Sequence, residues 1–319
     1  MDLLIWLGIF VVSLAVLITA ARFFTDAAEI IGLALGMSPF VIGVIIVSIG
    51  TSLPELVSSV IAVSQQVSEI VPGNVIGSSI SNLFFVLGIA SLFTRAAIQL
   101  GDQYIFIDLN FLMATVFIVV LTMYDGKITV GEGIICLVAY CIYVFYLLKD
   151  GSTPIDILLD ENVKAEGRKG NIRIQDVLIV TLGGIFIYLG ARYTIISLEK
   201  LAEIMSISKA IVSVTLLSFG TTLPETVVSA TASRQGKGEI AIGNILGSCI
   251  FNGLAISGVA SFFGTLIVTP EVLRFPLPIY CVAALLFYLL TQDKNVSRWE
   301  GLIFLLMYIF FIGKIANIL

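Results

Sequence analysis

Histidine does not occur anywhere in these 319 residues, and only 12% of them are charged. Without histidine the chain lacks the usual ligand for zinc and copper and the side chain that relays protons near neutral pH. Cysteine is sparse. Cys136, Cys141, Cys249 and Cys281 lie in apolar segments with no C-x-x-C spacing, so small buried hydrophobes are expected there rather than disulfides or metal thiolates. The net charge of −5 says little about partners in so apolar a chain, but the absence of a basic patch interleaved with aromatics speaks against nucleic acid. The charge content is also about half the ~25% of a soluble domain. What fills the chain instead is apolar: 58% of residues are hydrophobic and the mean hydropathy is +1.08. Such a chain belongs in a bilayer, where helices satisfy every backbone polar group within one segment.

A hydrocarbon core of about 30 Å takes roughly 20 apolar residues per helix. The apolar runs predict spans at 3–21, 38–63, 72–94, 103–123, 131–148, 176–197, 207–233, 240–265, 271–291 and 299–318. The first has no basic region ahead of it and is long enough to cross, so it is expected to be retained rather than cleaved. The single long polar connection, 149–175, separates five spans from five. Lys and Arg divide six to eleven between the two sides, with the larger number on the side of that linker. The expected location is therefore the cell membrane, with the 149–175 loop cytoplasmic and both termini outside.

Residues 48–82 read "SIGTSLPELVSSVIAVSQQVSEIVPGNVIGSSISN" and residues 218–252 read "SFGTTLPETVVSATASRQGKGEIAIGNILGSCIFN". At a constant offset of 170 they share 18 of 35 positions without a gap. Weaker likeness flanks them, as in "ARF" at 21–23 against "ARY" at 191–193. The chain is thus a duplication, 1–148 and 176–319, around the linker 149–175. Because each unit holds an odd number of spans, the second enters the membrane from the opposite side, giving ten helices as two inverted five-helix repeats.

Glu55 and Glu225 fall in the middle of their spans, where an acidic side chain costs roughly 2.5–3.5 kcal/mol to insert and marks function. No Lys or Arg lies in the core of any span to pair with them, so each must hold a proton or a cation. Pro54 and Pro224 directly precede them. Each removes an N–H from the ladder, so kinks at "GTSLP" and "GTTLP" are expected to free neighbouring carbonyls. On the following helices Asn74, Ser78 and Asn82 share one face, as do Asn244, Ser248 and Asn252. Gly73, Gly77, Gly243 and Gly247 are expected to serve close packing. This donor set is all oxygen and suits Ca²⁺, which takes about 6–8 oxygens in flexible geometry, and Na⁺ similarly. Two carboxylates balance one Ca²⁺ or about two monovalent ions, so the two kinds of ion should compete for shared ligands.

With "GTSLPE…GNVIGSSISN" and "GTTLPE…GNILGSCIFN" the sequence resembles the sodium/calcium exchanger family of the cation/calcium exchanger superfamily, in its compact prokaryotic or archaeal form. The resemblance implies an antiporter in which Na⁺ flow drives Ca²⁺ by alternating access, with the first and sixth spans sliding on the rest. It implies Glu55 and Glu225 as central Ca²⁺ ligands, joined by the carbonyls of Thr51 and Thr221. Sodium sites would use Ser52, Thr222, Ser78 and Ser248. Asn82 and Asn252 would complete the middle, with Ser48 and Ser218 just before the kinks. Asparagine at both 82 and 252, where the potassium-dependent branch carries aspartate, argues against potassium co-transport. No cofactor, enzymatic activity or obligate protein partner is expected; the transported ions and the lipid are the partners. The alternative on the same scaffold is a cation/proton exchanger, but Val75 and Ile245 stand where that branch shows "GNA-x-E". A membrane hydrolase or transferase would need a nucleophile with a base, or an acidic metal cluster, and the spans hold neither.

Overall fold

The computed structural model describes residues 2–94, 97–99, 109–150, 172–204, 220 and 222–316. The chain folds as helices α1 (Asp2–Ala34), α2 (Pro39–Ser64), α3 (Ile70–Phe93), α4 (Leu109–Met123), α5 (Val130–Asp150), α6 (Ile174–Ile204), α7 (Leu223–Arg234), α8 (Gly238–Ser261), α9 (Pro270–Leu290) and α10 (Arg298–Ile315). Seven of these, among the described residues, are long and apolar enough to cross a membrane; α4, α7 and α10 fall short of that standard. Most of the linker, and the first part of the 207–233 segment, lie outside the described residues.

Burial rises steeply towards the centre. In α8 100% of the most apolar stretch is buried and in α3 78%, against 11% in α1. A membrane helix that hides every face must be surrounded by protein, so α8 and α3 form the middle. Helices α1 and α6 form a peripheral layer that exposes Leu4, Val12, Phe23, Leu182 and Phe186. These two pair antiparallel along their length: Phe24 packs on Gly183, Leu17 on Gly190, and Thr194 Oγ1 donates to Ser13 Oγ at 2.9 Å. At the centre α2 and α8 cross backbone to backbone. A Cβ on Gly43 would stand 2.9 Å from Gly243 Cα, and one on Gly243 would stand 3.0 Å from Gly43 Cα. Gly247 is equally tight against Ser48, whereas Gly77 faces open space and does no packing.

Helix starts follow the local sequence. Ser38 caps α2 ahead of Pro39, accepting from Val41 N at 3.3 Å. Ser297 and Glu300 form a reciprocal capping box at α10. At the matching start of α5, Thr129 and Glu132 bond in the same way, with Thr129 N donating to Glu132 Oε2 at 2.8 Å.

Four two-residue strands, β1 (Ile98–Gln99), β2 (Lys127–Ile128), β3 (Leu266–Ile267) and β4 (Asn295–Val296), join the halves. β1 pairs antiparallel with β4 through Ile98↔Val296, and β2 with β3 through Ile128↔Leu266. Beyond the second ladder Val268 N donates to Gly126 O at 2.8 Å. Moving Ile98 and Val296 by 170 in opposite senses gives 268 and 126, which is this contact. The duplication in sequence is therefore repeated in the register of the two ladders.

Three further expectations are corrected. The first helix runs to Ala34 rather than ending near 21. Beyond that point Asp26 and Glu29 are both bridged by Lys237, and Thr25 returns its hydroxyl to Ala21 O at 2.8 Å. At 33 residues and about 1.5 Å per residue, α1 exceeds a ~30 Å core and must tilt or protrude. Next, Pro54 does not break its helix: Ser48–Ser64 is continuous, and the irregular turn is the π-helical Gly43–Val47 just before it. Pro224 does stand at a start, in the first turn of α7, after Thr222 with φ −97° and ψ 6°. Finally, Cys141 is exposed on α5 and Cys281 partly so, while Cys136 and Cys249 are buried; all four are free thiols.

Candidate functional site

Glu55 projects from α2 and Glu225 from the first turn of α7, and both are buried, 3% and 1% exposed. The positive end of α7 favours a carboxylate in that turn. Ser52, one turn before Glu55, donates to Glu225 Oε1 at 3.0 Å, and its oxygen stands 3.1 Å from Ser248 Oγ on α8. This one hydroxyl ties the first repeat's motif to the second repeat's carboxylate and to the following helix. No Lys or Arg pairs with either glutamate among the described residues.

One turn along, Asn252 Nδ2 donates to Ser78 Oγ at 3.0 Å, joining α8 to α3. Asn82 and Asn252 both lie in π-helical turns, Asn82–Val86 and Phe251–Ile256. Such turns push one residue out of the regular ladder and recur at functional sites. Here they occur at matched places in the two repeats. On the other side of the glutamates, Thr51 Oγ1 lies 3.2 Å from Asn244 Oδ1.

Five polar atoms in this group are buried without any hydrogen-bond partner: Glu55 Oε2, Glu225 Oε2, Asn252 Oδ1, and Asn82 Oδ1 and Nδ2. Four are oxygens. Buried acceptors are ordinarily satisfied, and leaving one bare costs about 1–3 kcal/mol, more if it is charged. A cation satisfies several oxygens at once. Among the described residues no three side chains of the Cys, Asp and Glu type converge, so a cation here would be held by two carboxylates and neutral oxygens.

Of the twelve residues singled out from sequence, Ser52, Glu225 and Ser248 meet directly, as do Ser78 and Asn252. Glu55 and Asn82 are buried on the same elements, and Thr51 bonds Asn244. Two others are differently engaged. Ser48 is buried, but its hydroxyl is spent on Val44 O. Thr222 is buried, and its carbonyl accepts from Thr226 Oγ1 at 2.6 Å. Ser218 and Thr221 lie outside the described residues. Sequence reasoning passed over Ser59 and Ser229, both buried four residues after a glutamate. Their identity across the repeat was the available signal.

A sodium/calcium exchanger protein family profile matches residues 5–149 and 176–314. The chain belongs to the sodium/calcium exchanger family. The sodium/calcium exchanger MaX1 of Methanosarcina acetivorans is 30% identical to this family member over 342 aligned positions, covering 95% of this chain and 96% of MaX1. An uncharacterized membrane protein of Methanocaldococcus jannaschii is 29% identical over 313 residues, 98% of this chain and 99% of its own. Among solved structures, the sodium-calcium exchanger NCX_Mj without Na⁺ and Ca²⁺ superposes with a TM-score of 0.82 at 28% identity, covering 97% of this chain and 98% of that one. After soaking with Na⁺ and Sr²⁺, NCX_Mj matches with a TM-score of 0.80. This family member therefore shares the length and fold of compact archaeal exchangers.

Proposed function

We propose that this chain is a secondary antiporter that exchanges Na⁺ for Ca²⁺ by alternating access at a site built on Glu55 and Glu225. The observation that carries the proposal is the pair of buried carboxylates, supplied one from each repeat. Each has an unpartnered oxygen, and no basic side chain compensates them among the described residues.

Taking two charges out of water without a partner is costly, so the empty site resists the occluded passage between the two faces. One Ca²⁺ or about two Na⁺ balance it, and because both need the same carboxylates they exclude each other. Coupling follows from that shared charge. In this reading Ser52, Ser78, Ser248 and Thr222 complete the Na⁺ sites, Asn82 and Asn252 complete the middle, and Thr51 and Thr221 lend carbonyls to Ca²⁺. Ser48 and Ser218 would flank them. We place the two inverted repeats at 1–148 and 176–319 with a cytoplasmic linker at 149–175, ten membrane crossings in all, and the termini outside the cell. Support for the inversion comes from the opposite-sense register of the two ladders and from the antiparallel α1–α6 pair. That peripheral pair is the unit that would slide. No resident cofactor is needed.

The test is ⁴⁵Ca²⁺ uptake into proteoliposomes preloaded with Na⁺, beside K⁺-loaded and acid-loaded controls. Uptake is expected only with internal Na⁺, and Glu55→Gln or Glu225→Gln should each abolish it. Uptake driven by a proton gradient alone would move the chain to cation/proton exchange, and no driven Ca²⁺ flux would overturn the substrate.

A further inference from the structure

Ser59 and Ser229 occupy the same place in the two repeats, as do Asn74 and Asn244, yet the structure treats the two pairs differently. In the second repeat Asn244 is a fully buried brace. Its Nδ2 donates to Ser229 Oγ at 2.8 Å and reaches the Glu225 carbonyl at 3.5 Å, while its Oδ1 lies 3.2 Å from Thr51 Oγ1. The amide thus ties α8 to α7 beside one glutamate and to α2 beside the other. In the first repeat the same parts stand apart. Ser59 Oγ is buried with no partner, and Asn74 is only half-buried, with no bond to Ser59.

A hydroxyl buried without a partner is destabilising, and the residue that satisfies its counterpart is present in the same repeat. An inverted-repeat carrier passes between its two states by exchanging the conformations of its halves. The unmade bond of one half is then the made bond of the other state. We propose that Asn244 and Asn74 are positioning residues that alternate. In the arrangement seen here Asn244 braces Ser229 and the Glu225 segment. In the opposite access state Asn74 closes on Ser59 and the Glu55 segment, and the Asn244–Ser229 bond opens. The inference rests on the antiport reading, and it adds a device that sets the balance between the two states.

The test uses the full chain in orientation-sorted proteoliposomes, reading the half-saturating Ca²⁺ concentration at each face for wild type, Ser59→Ala, Ser229→Ala and the double variant. Ser229→Ala removes a bond made only in the present arrangement and Ser59→Ala one made only in the other. Their ratios of half-saturation between the faces are therefore expected to move in opposite directions, each by about three- to tenfold. The double variant should return to near the wild-type ratio. Equal losses at both faces, shifts of the same sign, no shift, or a double variant worse than either single would overturn the proposal. Ser229→Cys replaces Ser229→Ala, with the same expectation, if the alanine variant does not reconstitute. Wild type without Na⁺-driven exchange would overturn the antiport reading itself. Wild type that exchanges, with variants that do not oppose each other, would overturn the brace alone.

Discussion

Ser52 ties the first half of this exchanger-family chain to the glutamate of the second. Its hydroxyl donates to Glu225 while standing beside Ser248. A hydrogen bond to a charged group contributes about 1.5–3 kcal/mol. Ser52→Ala is therefore expected to weaken Ca²⁺ binding by at least about tenfold while the protein still folds, read as the half-saturating Ca²⁺ for Na⁺-driven uptake. Asn82 presents a different case, because both of its side-chain polar atoms are buried and unpartnered. It loses no internal bond on substitution, so Asn82→Leu is expected to leave thermal stability in ion-free detergent unchanged or raised while exchange falls. A drop in melting temperature without any effect on exchange would refute its place among the ion ligands.

At the scale of elements, the crossing of α2 on α8 is the contact the site depends on, since it sets how far Glu55 stands from Ser248. Gly43 and Gly243 allow the backbones to touch. A larger side chain there must displace backbone, and overpacking of this kind costs about 1–3 kcal/mol. Gly243→Val is expected to lower the melting temperature in detergent by several degrees and to abolish exchange. Gly77→Ala, on a face with open space, should do neither. The irregular turns belong to this scale as well. Proline and glycine in "GTSLP" announce a break, yet in the first repeat the helix runs through Pro54 and the distortion falls at Gly43–Val47. Packing against α8 determined where the ladder gave way.

At the scale of the whole molecule, ions that bind the folded state and not the unfolded one must stabilise it. Saturation at about a hundred times the dissociation constant is worth about 2.7 kcal/mol. Ca²⁺ is expected to raise the melting temperature in a concentration-dependent way, and added Na⁺ should shift that dependence to higher Ca²⁺. K⁺ should not, since Asn82 and Asn252 offer no further carboxylate. Glu55→Gln with Glu225→Gln should remove the Ca²⁺ effect altogether. A Ca²⁺-induced rise that survives the double substitution would place the ion elsewhere.

Much of this was legible in the chain itself. Long apolar runs demand membrane helices because lipid offers the backbone no hydrogen bonds. Two glutamates in such runs, matched at an offset of 170, demand a cation or proton because nothing else can neutralise them there. Helical spacing even put Ser78 with Asn82 and Ser248 with Asn252 on shared faces. None of that spacing, however, says which face meets which. The bonds from Ser52 to Glu225, from Asn252 to Ser78 and from Asn244 to Ser229 and Thr51 link residues on different helices. The length of α1 was hidden for the same reason, since the polar turns beyond its apolar run are held by Lys237, which is distant in sequence and bridges Asp26 and Glu29. Periodicity and charge act along the chain, where the sequence records them. The inequality of the two repeats, one braced and one open, exists only once the helices have packed, because identical residues cannot by themselves say which copy holds its bond.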